Sequence, residues 1–235
     1  MNLPTKPQSR ASLKINPLAA RVMLAGLPKI GKSSLLAEWA PKTTLIIDTH
    51  RGTTLLEGEH FVQHVATWPE FEAVAEEIAA GDHPYKTIGI DLVDDVYKLA
   101  DAHVAGKKNL VAAGLIEYGK GVAEAEGLYR RAMGKLIASP YGIWFISHTD
   151  TEDNQGQVRY VPRLDKRVRT YTEGVCQFIF LAEALGKRRQ LHTAPSPRFQ
   201  AGSRVPLPDV MPLDARELYA AIQRGLSNGK KGENR

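Results

Sequence analysis

The segment Gly26-Leu27-Pro28-Lys29-Ile30-Gly31-Lys32-Ser33 fits the pattern G-x-x-x-x-G-K-[ST], and its surroundings give that pattern mechanical meaning. An apolar run, Val22-Met23-Leu24-Ala25, precedes it as a buried strand does. Ser34-Leu35-Leu36-Ala37-Glu38-Trp39-Ala40 follows with helix-forming composition. Strand, glycine loop and helix in that order make an anion cradle: successive backbone N–H groups turn toward one point, and the helix adds its positive dipole end. In such a loop Lys32 reaches the β- and γ-phosphates and the Ser33 hydroxyl ligates Mg²⁺. The expected binding segment is therefore Gly26, Leu27, Pro28, Lys29, Ile30, Gly31, Lys32, Ser33 and Ser34. The expected ligand is a nucleoside triphosphate with Mg²⁺.

Strands and helices alternate beyond the loop. Thr44 to Asp48 and Thr87 to Asp91 read as short apolar strands, and Phe61 to Val65 as a weaker one. Helices are predicted over Trp68 to Ala80, Val93 to Ala105 and Val122 to Ser139, with Gly81 and Gly106 as stops. Gly142 to Ser147 is a further strand. After Thr149 the pattern turns hairpin-like, with strands over Gln157 to Val161, Val175 to Ala182 and Arg189 to His192, before a last helix from Asp214 to Arg224. This order predicts an α/β fold with a mainly parallel, helix-covered sheet and antiparallel strands added in the C-terminal third. A length of 235 residues suits one large domain, placed over residues 20–224. Residues 1–19 hold three prolines, three basic residues and no acidic one, and read as a mobile or docking arm. Residues 225–235 read as a flexible tail.

A phosphate loop needs a second carboxylate to hold the Mg²⁺ hydration shell. Asp91 ends an apolar strand, where open α/β sheets bind ligands, so Ser33 and Asp91 are the expected metal pair. Asp94 and Asp95 fit first-turn positions favoured by the helix dipole. His148 follows the Gly142 to Ser147 strand; it suits either a γ-phosphate contact or a surface histidine opening a loop.

The loop, the Leu45 to Asp48 strand, the Ile88 to Asp91 strand, a polar strand tip and a basic loop, in that order, resemble the RecA-like ATPase core over residues 20–210. The chain is most similar to small phage-encoded RecA-like ATP-binding proteins of the single-strand annealing and recombination group. The resemblance implies ATP and Mg²⁺ as cofactors and a homo-oligomer, ring or filament. It also implies a single-strand-binding or replication and recombination partner, and a cytoplasmic setting, that of a bacterial host if phage-encoded. Ala201-Gly202-Ser203-Arg204 resembles a basic motif that reaches a neighbouring subunit's nucleotide, with Gly202 where the family has lysine; an exposed loop arginine is the alternative for Arg204. Such proteins often place a glutamate two residues after the aspartate of the second core strand, and here that place holds His50. The candidate catalytic residues are thus Lys32, Asp91, His50, His148 and Arg204. Hydrolysis is expected to be slow or DNA-stimulated, because phosphoryl transfer rests on positioning and charge stabilisation and a missing water-positioning carboxylate slows turnover more than binding.

From Arg159 to Tyr171 the chain holds five basic residues in thirteen positions, with two aromatics and one acidic residue. Phosphates reward such charge by counterion release, and aromatic faces stack on unpaired bases. Arg159, Arg163, Lys166, Arg167 and Arg169 are the expected contacts to single-stranded DNA, joined by Lys107 and Lys108; a solvated hairpin is the bland alternative. The net charge of +5 leans the same way. The lone Cys176 excludes a disulfide framework and reads as a small buried residue. No apolar stretch has the length of a membrane span, so no membrane partner is expected. Two other function classes share the loop: a small-molecule or nucleotide kinase, with the basic stretch as a lid, and a non-catalytic ATP-binding adaptor such as a helicase loader.

Overall fold

In the computed structural model, which describes residues 16–154 and 156–228, a ten-stranded sheet carries helices on both faces. The chain runs β1 (Arg21–Gly26), α1 (Lys32–Trp39), β2 (Thr44–Asp48), β3 (Phe61–His64), α2 (Trp68–Ala80), β4 (Thr87–Asp91), α3 (Val93–Gly106) and α4 (Lys120–Ala138). It continues through β5 (Gly142–Asn154), β6 (Gln157–Pro162), α5 (Lys166–Val175), β7 (Phe178–Leu185), β8 (Arg188–His192), β9 (Gly202–Ser203), β10 (Val210–Pro212) and α6 (Ala215–Asn228). The strand order is β10-β8-β7-β1-β5-β4-β2-β3, with β6 on β5 and β9 on β7. The six strands from β7 to β3 are mutually parallel, and β6, β8, β9 and β10 pair antiparallel.

Both faces of the central strands are covered, which is why they read as unbroken apolar runs. Alternate residues still separate cleanly. Met23, Ile143 and Phe145 face a core built with Phe71, Val96, Tyr129 and Met133 from α2, α3 and α4. Val22, Leu24, Trp144 and Ile146 face a second core built with Leu36, Trp39, Leu218 and Ile222 from α1 and α6. The three tryptophans, Trp39, Trp68 and Trp144, all pack inside, as does Cys176. Gly89 in β4 lies under α1: a Cβ there would sit 2.2 Å from Leu36 Cδ2. This close approach seats the helix that follows the phosphate loop.

Local signals account for the best-defined helix. Thr67 Oγ1 accepts the Glu70 amide at 3.4 Å, Glu70 Oε2 accepts the Thr67 amide at 3.1 Å, and Gly81 closes α2 in the left-handed region. The chain between β6 and β7 departs from the hairpin-like expectation. Residues 166–175 form α5, started by Asp165, whose side chain accepts the Arg167 amide at 3.0 Å. Val168 and Thr172 supply its buried stripe, and β7 begins at Phe178 rather than Val175. Helix α6 extends through Asn228, past the expected end at Arg224 and into the region read as tail. Of the expected N-terminal arm, Pro17–Ala19 form a 3₁₀ turn capped by Asn16; residues 1–15 and 229–235 lie outside the described residues.

Candidate nucleotide site

Parallel strands bring their C-terminal ends together. Gly26 of β1 registers with His148 of β5, Asp91 of β4 with Ile146 of β5, and Asp48 of β2 with Asp91. The loop strand and the Asp91 strand are thus separated by β5, whose tip carries His148. A cleft of about 470 Å³ opens there, lined by Lys29, Gly31, Lys32, Ser33, Ser34, His50, Asp91, His148 and Arg189 among others.

The loop turns through left-handed positions at Lys29 (φ 63°) and Gly31 (φ 106°), and α1 starts at the next residue. A Cβ on Gly31 would meet Arg189 Nη1 at 3.1 Å and Leu213 Cδ2 at 3.3 Å, so glycine serves both backbone and neighbours. Lys32 is buried, and its Nζ donates to the carbonyls of Gly26 and Leu27, both at 2.9 Å. Burial lowers its pKa to about 8 against the pull of Asp91 and Asp94. The ammonium therefore rests on loop carbonyls that an incoming phosphate can replace.

Ser33 Oγ donates to Asp91 Oδ2 at 2.5 Å. Asp91 is fully buried, its Oδ1 has no hydrogen-bond partner, and burial pushes the carboxyl above the usual aspartate range despite the Ser33 bond. A hydroxyl beside an orphaned carboxylate oxygen at a phosphate loop is a donor set that fits Mg²⁺. Ser33 and Asp91 would hold that ion, which supplies charge neutralisation at the phosphates when bound.

Two histidine–aspartate pairs flank the cleft, and they differ. His50 Nδ1 lies 3.5 Å from Asp48 Oδ1, but Asp48 is already saturated. It accepts the amides of His50 (3.0 Å), Gly52 (3.3 Å) and Thr53 (3.0 Å) and the Thr53 hydroxyl (2.5 Å). Burial pushes Asp48 up, but these bonds outweigh it and hold the carboxyl below its ordinary range. Asp48 organises the turn after β2. His148 Nδ1 lies 3.4 Å from Asp94 Oδ2, and neither Asp94 oxygen has a hydrogen-bond partner. Burial raises Asp94 and lowers His148, the latter also through Lys32.

Residues 18–205 match the AAA domain family. This chain is an AAA domain protein. The sheet, the loop and the family match together make it an α/β P-loop ATPase domain that binds nucleotide. No curated protein matches it in sequence. Among solved structures, a similar chain is that described as a prototypical ATPase from the type III secretion system of pathogenic bacteria. It is 11% identical, with a TM-score of 0.44 over 71% of this chain and 52% of that one. The AAA domain chain thus spans about half of that ATPase. No helix among the described residues is long and apolar enough to cross a membrane.

Of the residues expected at the AAA domain's nucleotide, the structure brings together the whole loop, Asp91, His50 and His148. Arg204 lies elsewhere: β9 pairs with the start of β7, and the Arg204 amide donates to Gln177 O, at the opposite end of the sheet. Within one chain it does not reach the cleft. The basic residues also divide. Arg163, Lys166 and Arg167 are exposed at the nucleotide end, and the Arg163 amide donates to His148 O at 2.7 Å. Arg169 is buried, paired with Glu152 and donating to Pro162 O, so it is a clamp between hairpin and helix rather than a free cation. Lys107 and Lys108 follow α3 to the far end of the sheet, and Lys107 pairs with Glu124 at 3.2 Å. Two site residues escape a sequence reading. Arg189 arrives from the β7–β8 hairpin and faces the loop only through long-range pairing. Asp94 looks like a dipole residue until its burial is seen.

Proposed function

We propose that this AAA domain is a Mg-ATP-dependent ATPase that binds single-stranded DNA through the β5–β6 hairpin and the first turn of α5. One observation carries the reading: the basic segment is joined directly to the wall of the nucleotide cleft. The Arg163 amide holds the His148 carbonyl, and Arg163 is near enough to influence both His148 and Lys32. Exposed cations at Lys166 and Arg167, on the first turn of α5 next to that joint, give phosphate contacts. The setting that best suits such coupling is strand annealing or recombination of the phage type.

Hydrolysis is slow or DNA-stimulated on this reading, because Asp91 is the only carboxylate among the described residues lining the cleft, and it belongs to the metal. The protein acts as a homo-oligomer. Leu27 and Leu55 stand exposed around the cleft, which suits cover by a neighbour, and Arg204, exposed and remote from its own cleft, is free to serve another subunit's nucleotide.

The test is fluorescence anisotropy of a single-stranded oligonucleotide at physiological salt with ATP, ADP or neither, using Lys32→Ala as the nucleotide control. Binding is expected to depend on nucleotide. Lys166→Ala plus Arg167→Ala should weaken it and flatten the log–log salt slope by about 1.4, since single strands give about 0.7 per phosphate contact. No DNA binding in any nucleotide state overturns the DNA reading, as does an unaltered slope in the double variant.

A further inference from the structure

Asp94 is an unusual residue to bury. Its side chain is 2% exposed, it follows Asp91 by three positions, and neither oxygen is hydrogen-bonded. Burying a carboxylate costs several kcal/mol in order-of-magnitude terms, which only a well-placed partner offsets. The group it faces is His148, whose Nδ1 is 3.4 Å away and whose ring lines the cleft beside Lys32, Ser33 and Asp91. Imidazole nitrogens lie on opposite sides of the ring. With Nδ1 toward Asp94, Nε2 is directed away from that carboxylate, on a ring that lines the cleft.

We propose that His148 and Asp94 form the water-activating dyad of this ATPase, with His148 as the catalytic base and Asp94 as its positioning residue. The proposal rests on the ATPase reading above. Asp94 takes the Nδ1–H bond and so fixes the tautomer that leaves the Nε2 lone pair free. Water attacks the γ-phosphorus while the bond from that phosphorus to the β–γ bridging oxygen breaks. The bond pair leaves with ADP, and the water proton passes to Nε2, to be released later to phosphate or solvent. No oxidant or further reactant is required. The separation of 3.4 Å suits an unliganded site, because catalytic hydrogen bonds often tighten only when substrate is bound.

The other histidine of the cleft is a weaker candidate for the same task. Asp48 cannot orient His50 in this way because four donors already occupy its oxygens. Asp94 has no such competing duty. The charged groups facing His148 are Lys32 from α1, Asp94 from α3 and Arg163 after β6. Burial first, and then the two cations, favour the neutral imidazole, the form that can accept a proton, while Asp94 pulls the other way.

The experiment is single-turnover ATP hydrolysis with Mg²⁺ and single-stranded DNA across pH, with ADP affinity and thermal stability measured in parallel. His148→Ala should lower the rate about 10²-fold or more, the usual scale of general-base loss, with ADP affinity within about threefold. Asp94→Asn should lower the rate without lowering stability. It should also move the rising limb of the rate–pH profile to lower pH, because the anion that holds the imidazolium is gone. A rate in His148→Ala within about threefold of wild type overturns the dyad. So does a limb that stays put in Asp94→Asn, or a loss of rate in His50→Ala that His148→Ala does not share. If the wild-type protein binds no ATP, or binds it and never hydrolyses it, the ATPase reading itself falls.

Discussion

The contact of Gly89 with Leu36 supports a prediction that joins stability to nucleotide binding. In Gly89→Ala the new methyl carbon would begin 2.2 Å from Leu36 Cδ2, 2.9 Å from Cδ1 and 3.0 Å from Cγ. The nearest pair is about 1.3 Å or more short of ordinary contact. Leu36 is fully buried in the core between α1 and the sheet, so relieving the contact disturbs packing on every side of it and pushes α1 away from the sheet. Overpacking of this kind costs about 1–3 kcal/mol, and at about 2–4 °C per kcal/mol Tm should fall by about 2–12 °C. Lys32 and Ser33 stand on the first turn of that helix, so a lift approaching about 1 Å should weaken Mg-ATP binding about tenfold or more, a loss of about 1.4 kcal/mol per decade.

A double-mutant cycle isolates the cause. Leu36→Ala alone should cost about 2–5 kcal/mol as a cavity, but its vacated space is where the methyl introduced by Gly89→Ala goes. The pair should therefore be less destabilising than the sum by about 1–3 kcal/mol, read from urea unfolding midpoints, and should recover part of the lost affinity in a fluorescent-nucleotide titration. Additivity within about 0.5 kcal/mol, or a Gly89→Ala variant as stable as wild type, would refute the argument that this glycine seats α1.

Two further outcomes follow from the site. Arg189→Ala should weaken nucleotide binding by about 10–100-fold, the worth of one charge-assisted contact, in the same titration; an unchanged affinity removes Arg189 from the site. Asp48→Ala should cost about 2–4 kcal/mol at neutral pH, since it strips four donors of their acceptor. Because the folded-state pKa of Asp48 is depressed, its contribution is present above the ordinary aspartate value near about 4 and is lost as pH falls through the folded value. The stability gap between variant and wild type should narrow in acid, and denaturant midpoints that keep a constant gap would argue against it.

What could be read from the sequence was whatever local chemistry decides. The loop from Gly26 to Ser33, the Asp91 strand end and the span of α2 all announce themselves through neighbours a few positions away. Helix α5 has such a signal too, in Asp165 followed by Val168 and Thr172, but its dense positive charge is equally that of a solvated or nucleic-acid-binding loop. Arg169 shows the limit of counting charges, because its burial depends on Glu152 and Pro162 across the hairpin. Arg189 and Asp94 were hidden for a related reason. One reaches the loop by strand pairing, and the other is made unusual by what packs over it.

The strand β5 has a mechanical consequence. It lies between β1 and β4 for its first half, carries His148 at the rim, and then runs on as one arm of the hairpin without an intervening loop. The six residues from Thr149 to Asn154 project about 20 Å at strand spacing. A continuous strand transmits tilt as a stiff beam does, with its fulcrum where the sheet grips it. A small rotation of β5 at the cleft is therefore magnified at the hairpin tip, with no separate hinge to absorb it. Replacing one residue near the rim with proline would soften that beam while leaving the phosphate loop intact.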